Sequence, residues 1–296
     1  MSAKNKKNVS IALGAVLLLL VIVGGWFVFK QQSRPEKMPK KIDERIVATT
    51  VPMTQIFAKL DVPLVGVPTT NEKLPTKVQK LPQVGNHVSV DMEKIISLKP
   101  DQVYVDSELT EDYASKLKEQ HIKMTTLDFS DYATMRQTIT KIGKKYGRQK
   151  QASQLKQKLQ IKNVERQKKP KVLLLMGMPG GSFLAMNQNS YIGDLVKRAG
   201  GQVVAADQKS LMSPVNNEKI AQSDPDVIIR LAHAMPQEVK RSFDESFKSG
   251  PYKTLTAVKN KQVYDVQAPK FSPTANLHVK EAYQEIKEWL DDSQEN

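Results

Sequence analysis

The 296 residues contain no cysteine. That removes disulfide staples, thiolate metal sites, a cysteine nucleophile and a lipidated cysteine, so stability must rest on buried apolar surface. Histidine is scarce as well, limited to His87, His121, His233 and His278. A zinc or manganese cage needs three or four converging His or carboxylate ligands, and two well-placed histidines are too few. No Gly-x-Ser-x-Gly, His-Glu-x-x-His or Gly-x-x-x-x-Gly-Lys-Ser/Thr occurs, so hydrolase, zinc-protease and phosphate-loop chemistry lack a starting point. The stretch Met176-Gly-Met-Pro-Gly-Gly-Ser182 resembles a phosphate loop only superficially. It lacks the lysine and reads as a flexible lip after a strand.

Acidic residues are outnumbered, 31 against 45 Lys and Arg, for a net charge of +14. Such an excess first suggests nucleic acid, which requires cations gathered on one face. Here the lysines are spread along helical segments with few aromatics between them, which argues for solvated helix faces and against nucleic-acid binding. The first 30 residues hold Lys4, Lys6, Lys7 and Lys30 and no acid. Residues 9–29 form 21 consecutive uncharged positions, enough at about 1.5 Å each to span the roughly 30 Å apolar core of a bilayer. Lysines before it and Trp26 near its far end predict a cytoplasmic tail (residues 1–8) and a single spanning anchor. A cleaved signal peptide would have a shorter apolar region followed by small residues. Residues 30–43, with two prolines and five basic residues, read as a linker that holds the remainder outside the cell at the membrane surface.

From residue 44 onward short apolar runs alternate with helical stretches. Ile46-Val-Ala reads as a strand, Met53, Ile56, Phe57 and Leu60 as one face of a helix, and Leu64-Val-Gly-Val as a second strand. Repeated, this order predicts an α/β fold with mainly parallel sheets. Tyr132, Met135, Ile139, Ile142 and Tyr146 then follow one helical register, so residues 131–169 are expected to form a long helix between two lobes, 44–130 and 170–296. An internal repeat supports the two lobes. Glu93-Lys94-Ile95 precedes Pro100-Asp101 and the strand Val103-Tyr104-Val105, and Glu218-Lys219-Ile220 precedes Pro225-Asp226 and Val227-Ile228-Ile229 with the same spacing. Each copy reads as helix, proline stop and buried strand.

Two such lobes leave a crevice at the carboxyl ends of their strands, where ligands bind. His233 follows the strand at 227–229 by four residues, and His87 lies in a turn before the first copy of the repeat. One imidazole from each lobe would suit an iron porphyrin, whereas an ordinary loop histidine is the plainer reading of each. His121 reads as a solvated turn residue and His278 as a packing or capping residue at the last helix. Met53, Met92, Met178 and Met235 fall near strand ends and could line an apolar slot.

Arg45-Ile-Val-Ala-Thr-Thr, Leu64-Val-Gly-Val-Pro-Thr, Val84-Gly-Asn, Asp91-Met-Glu-Lys-Ile, Lys171-Val-Leu-Leu-Leu-Met-Gly, Ser190-Tyr-Ile-Gly-Asp-Leu-Val, Ala232-His-Ala and Thr274-Ala-Asn-Leu-His-Val together resemble the helical-backbone class of ABC-transporter substrate-binding proteins. Within it they are most similar to the haem-binding IsdE group of Gram-positive bacteria. The resemblance implies a binding protein, not an enzyme, that captures haem at the cell surface, receives it from surface haem donors and passes it to an ABC permease. It implies His233 as an axial iron ligand. The family's second ligand is a methionine where this chain has His87-Val88, so His87 is expected to replace it; Met92 and Met53 are weaker alternatives, and a five-coordinate iron on His233 alone stays open. Thr49, Thr50 and Val51, just before a helix, are expected propionate contacts, with Thr70, Asn71 and Lys73 in the next loop and Val88 and Met178 along the pocket. Glu93 and Glu218 match the acids that family members present to the permease. The spanning segment takes the place of the family's lipidated cysteine. A siderophore or other iron-chelate binder on the same scaffold, a membrane-tethered haem enzyme and an empty interaction module are the rival readings.

Overall fold

The computed structural model describes residues 41–86 and 89–295. In the first lobe, β1 (Ile46–Ala48) leads into α1 (Val51–Lys59), and α2 (Met92–Ser97), β2 (Gln102–Asp106), α3 (Thr110–Glu119) and β3 (Lys123–Leu127) follow. The strands form a parallel sheet in the order β1-β2-β3. The strand expected at Leu64-Val-Gly-Val is reduced to single parallel bridges, Val47 to Gly66 and Val67 to Gln83. Pro63 and Pro68 bracket it and each lacks a ladder donor. Gly66 is also packed too closely for a side chain, since a Cβ there would lie 2.7 Å from Leu98 Cδ1.

The expected single helix over residues 131–169 is a correction. It is two helices, α4 (Tyr132–Lys145) and α5 (Gln149–Lys158), folded back on one another. Asp131 caps α4 by accepting from Thr134 N at 2.7 Å. The reversal falls at Gly147, whose φ of +66° is the left-handed region that glycine enters without strain. The hairpin is antiparallel: Tyr132 Oη donates to Leu159 O at one end, and Gly143 and Ala152 meet near the turn. Residues 159–170 then run as an extended connection along the second lobe, where Val164 N donates to Arg198 O at 2.7 Å.

The second lobe comprises β4 (Lys171–Gly177), β5 (Phe183–Met186), α6 (Tyr191–Arg198), β6 (Gln202–Val203), β7 (Met212–Pro214), α7 (Asn217–Ser223), β8 (Val227–Ala232), α8 (Pro236–Lys248), α9 (Thr256–Lys259), β9 (Val263–Val266) and α10 (Val279–Glu295). Its sheet is mixed, with parallel pairs in the majority as expected. β6, β8 and β9 run parallel to their neighbours, but β5 and β7 are antiparallel. The cause is the stretch read as a flexible lip: Met178 N donates to Ser182 O at 2.9 Å, and Gly180 and Gly181 both take positive φ, so the chain turns back as a hairpin.

Strand alternation distributes side chains between cores. In β8, Val227, Ile229 and Leu231 enter one cluster and Ile228 and Ala232 another; β4 divides in the same way. The first cluster also takes Ile46 and Ala48 of β1, Met135, Ile139 and Ile142 of α4, and Val279, Ile286 and Leu290 of α10. One continuous core therefore joins the two sheets through the helical hairpin. Such packing resists independent motion of the lobes.

Candidate ligand-binding crevice

The lobes meet through segments that leave the carboxyl ends of their sheets. Ala275 N, beyond β9, donates to Phe129 O, beyond β3, at 2.7 Å. Residues at these strand ends are therefore the ones a ligand between the lobes would meet.

On the second lobe, His233 directly follows β8 and is half-buried. The turn ends at Met235, which holds a left-handed conformation (φ 46°, ψ 58°) before Pro236 starts α8. Among the described residues Met235 is the exposed large hydrophobic side chain, at 56 %. The turn is anchored from beneath. Arg230 of β8, 6 % exposed, grips Asp265 with two hydrogen bonds at 2.7 and 2.8 Å and reaches Asp244 of α8 at 2.9 Å. Lys240 pairs with both acids, and the guanidinium stacks over Phe243 and Phe247 at 5.2 and 4.8 Å. Burial pushes the Asp265 carboxyl up, but hydrogen bonds from Arg230 and Lys240 outweigh it and hold it below the usual carboxylate range; the same balance, with Lys240 ahead of Arg230, lowers Asp244. Sequence reasoning missed this cluster, although an arginine inside the run Val-Ile-Ile-Arg-Leu-Ala was its signal.

On the first lobe, β1 ends at the expected threonines. Thr49 is buried and donates through Oγ1 to Tyr104 O at 3.0 Å, so its hydroxyl is already engaged. Thr50 is the N-cap of α1, but its side chain caps nothing, and its buried Oγ1 has no partner among the described residues. Pro52 lacks an N–H, which leaves Val51 and Met53 to present backbone donors in the first turn. The Met53 side chain itself is fully buried and Met92 is 9 % exposed, packed beside Ile95. Both side chains pack in the core, against the expectation that either reaches the crevice as a ligand. Met178 is half-buried in the β4–β5 turn. His87 and Val88 lie outside the described residues. Beside them Asn86 N donates to Ser89 O at 2.9 Å, and Gly85 O accepts from Thr69 N at 2.8 Å, which ties this segment to the loop carrying Thr70.

In that loop Thr70 Oγ1 accepts from Glu72 N at 3.0 Å, while Asn71 and Lys73 are exposed. Burial raises the Glu72 carboxyl, and the charge of His278 from the other lobe opposes the rise. His278 Nδ1 lies 2.6 Å from Glu281 Oε2, a hydrogen-bonding distance at the start of α10. Asp106 closes β2 at 3 % exposure; burial pushes its carboxyl up to about 6, with Glu108 and Asp128 adding to the rise and the Glu108 N–H opposing it. His121 is an exposed turn residue, as expected. Among the described residues no three His, Cys, Asp or Glu side chains converge on a metal ion.

Glu93 and Glu218 occupy the second positions of α2 and α7, both exposed. A helix packed on a sheet and followed by a parallel strand starts at that strand's carboxyl end, which sets both acids on the carboxyl-end side of their sheets. No helix among the described residues is long and apolar enough to cross a membrane; residues 9–29 lie outside them.

The model of the periplasmic binding protein family matches residues 46–269. The high-affinity heme uptake system protein IsdE of Staphylococcus aureus (strain bovine RF122 / ET3-1) is 37 % identical over 278 residues, covering 91 % of this chain and 95 % of that protein. An ABC-transporter substrate-binding protein from Listeria monocytogenes EGD-e superposes with a TM-score of 0.78 at 41 % identity, over 85 % of this chain and all (100 %) of that one. S. aureus IsdE complexed with heme superposes at 0.77 with 36 % identity, over 84 % and 99 %. These relatives are binding components of transporters and not enzymes, in keeping with the absence of a catalytic motif. The chain belongs to the periplasmic binding protein family, among the ABC-transporter substrate-binding proteins related to IsdE.

Proposed function

We propose that this protein binds haem in the crevice between its two sheets and hands it to an ABC permease at the outer face of the cell membrane. The observation that carries the reading is His233, a half-buried imidazole at the carboxyl end of β8, in a chain 36 % identical to a protein solved with heme bound. An imidazole nitrogen is a strong axial ligand for haem iron. Met235, exposed in the same turn, offers thioether surface to a porphyrin face. His87 is the proposed second ligand, since Met53 and Met92 are committed to the core. The Val51 and Met53 N–H groups and the Thr50 hydroxyl suit a propionate, because a helix amino end favours an anion. Lys73, Thr70, Asn71 and Val88 complete the proposed rim, and Thr49 acts behind it by holding β1 to Tyr104.

Glu93 and Glu218, one on each lobe, are proposed to meet cations on the permease, and residues 9–29 to anchor the chain. Surface haem proteins would supply the cargo. The test is a haemin titration of the full chain in detergent. A saturable Soret band at one equivalent, lost in His233→Ala with the fold intact, supports the reading; no band, or an unchanged band in the variant, refutes the haem or the ligand respectively.

A further inference from the structure

Away from the turn that carries His233, α4, α5 and α6 border an open surface cavity of about 340 Å³ lined by Tyr132, Arg136, Gln137, Thr140, Lys156 and Arg198. We infer that this cavity is a second binding site, for a small phosphate-type oxyanion, at the joint between the helical hairpin and the second lobe.

Its cations outnumber its acids. Arg198 is neutralised by Asp194, with Nε to Oδ2 at 2.8 Å. Arg136 spends one N–H on Lys156 O and has no carboxylate partner among the described residues, and Lys156 has none either. All three cations are partly buried, which weakens solvent screening of their mutual repulsion. The Tyr132 ring, 5 % exposed, forms the floor, with the Arg136 guanidinium 5.3 Å from its centroid and that of Arg198 at 4.9 Å. Stacking fixes each guanidinium by its face, and part of each edge is already engaged, Arg198 Nε and Nη1 by Asp194 and Asn163 Oδ1 and Arg136 Nη1 by Lys156 O. The remaining N–H groups of the two guanidiniums and the Lys156 ammonium around one cavity match an oxyanion, which accepts from several donors at once. The proline-free start of α4 is held to the second lobe there, as Tyr132 N donates to Asp194 Oδ2 at 3.3 Å. A bound oxyanion would bridge Arg136 and Lys156 of the hairpin to Arg198 of the second lobe and so stiffen the joint.

This site is independent of the haem reading. Its test uses the full chain in detergent at constant ionic strength, titrated with inorganic phosphate and, separately, with soluble dicaproyl phosphatidylglycerol, by calorimetry. Saturable binding of one of them, weakened about tenfold or more in the double variant Arg136→Gln, Lys156→Gln, supports the site. Phosphate binding assigns a free oxyanion, and binding of the phospholipid alone assigns a lipid headgroup. Binding unchanged in the double variant, or no binding of either probe, overturns the inference. The variant's melting without ligand and its haemin titration show that the fold is retained.

Discussion

Asp101 and Asp226 stand 125 positions apart and make the same bond. Each carboxylate accepts a backbone N–H where the first strand of its lobe begins, that of Arg45 just before β1 and of Lys171 at the start of β4, at 2.7 Å in both cases. The likeness extends along the unit. Asp91 and Asn216 cap the preceding helices by accepting from Lys94 N and Lys219 N, and Lys99 and Asp224 both take positive φ where helix gives way to strand. A repeated helix, turn and strand thus fixes the amino ends of the strands in each lobe, opposite the carboxyl ends at which the crevice lies.

The ligand role of His233 separates from that of His87. His233→Ala is expected to lose most haem affinity while circular dichroism stays unchanged. His87→Ala is expected to alter the iron spectrum with a smaller loss of affinity. An identical spectrum would exclude iron ligation by His87.

Asp106 makes stability depend on pH in a stated direction. Its folded carboxyl is pushed up to about 6 from the usual range near 4. Below pH 4 both folded and unfolded chains carry the proton; as pH rises toward 6 the unfolded chain releases it more readily, and above 6 the buried charge exerts its full penalty. Stability from this group therefore falls between about pH 4 and 6, on the order of 3 kcal/mol. Asp106→Asn keeps the acceptor for Glu108 N and should be more stable at pH 7.5, with a flatter profile in urea unfolding. A profile identical to the parent would remove the assignment.

Arg230 is expected to be the most sensitive charged residue in the second lobe. Arg230→Leu leaves Asp244 and Asp265 facing each other with only Lys240 between them. The loss should be about 2–4 kcal/mol, discounted because both acids are partly exposed. In the parent, both carboxyls titrate below their ordinary range, so the stability they contribute is present at neutral pH and is lost only as pH falls through those depressed values. Chemical unfolding at pH 7 and at pH 3 should show a gap between parent and variant that narrows in acid.

Gly177 permits α8 to lie on β4. A Cβ there would sit 2.2 Å from Val239 Cγ1 and 2.8 Å from Phe243, so Gly177→Ala must displace α8. Overpacking of this kind destabilises by about 1–3 kcal/mol. Because α8 begins three residues after His233, haem affinity should fall with stability; a variant of parental stability and affinity would show that the helix yields freely.

Much of this was readable in the chain. Met53, Ile56, Phe57 and Leu60 are all buried, as are Tyr132, Met135, Ile139, Ile142 and Tyr146, because helical period alone puts such residues on one face. His233 was found because a residue just past an apolar strand lies at its carboxyl end whatever the rest of the fold does. The burial of Met53 and Met92 was not readable, since a methionine near a strand end serves core or crevice equally well and only its neighbours decide. Nor was the pairing of His278 with Glu281, or the depth of Asp106, which depend on what other segments bring to them.

Local physics in the sequence determined the element types, the repeat and the end of each sheet where a ligand would bind, because periodicity, prolines and caps act over a few residues. Tertiary structure alone decided that residues 131–169 double back as a hairpin, that β5 and β7 make the second sheet mixed, and that Arg230 finds two acids from distant segments. Those outcomes rest on close approaches and charge pairs between residues far apart in the chain, whose energies exist only once the fold has brought them together.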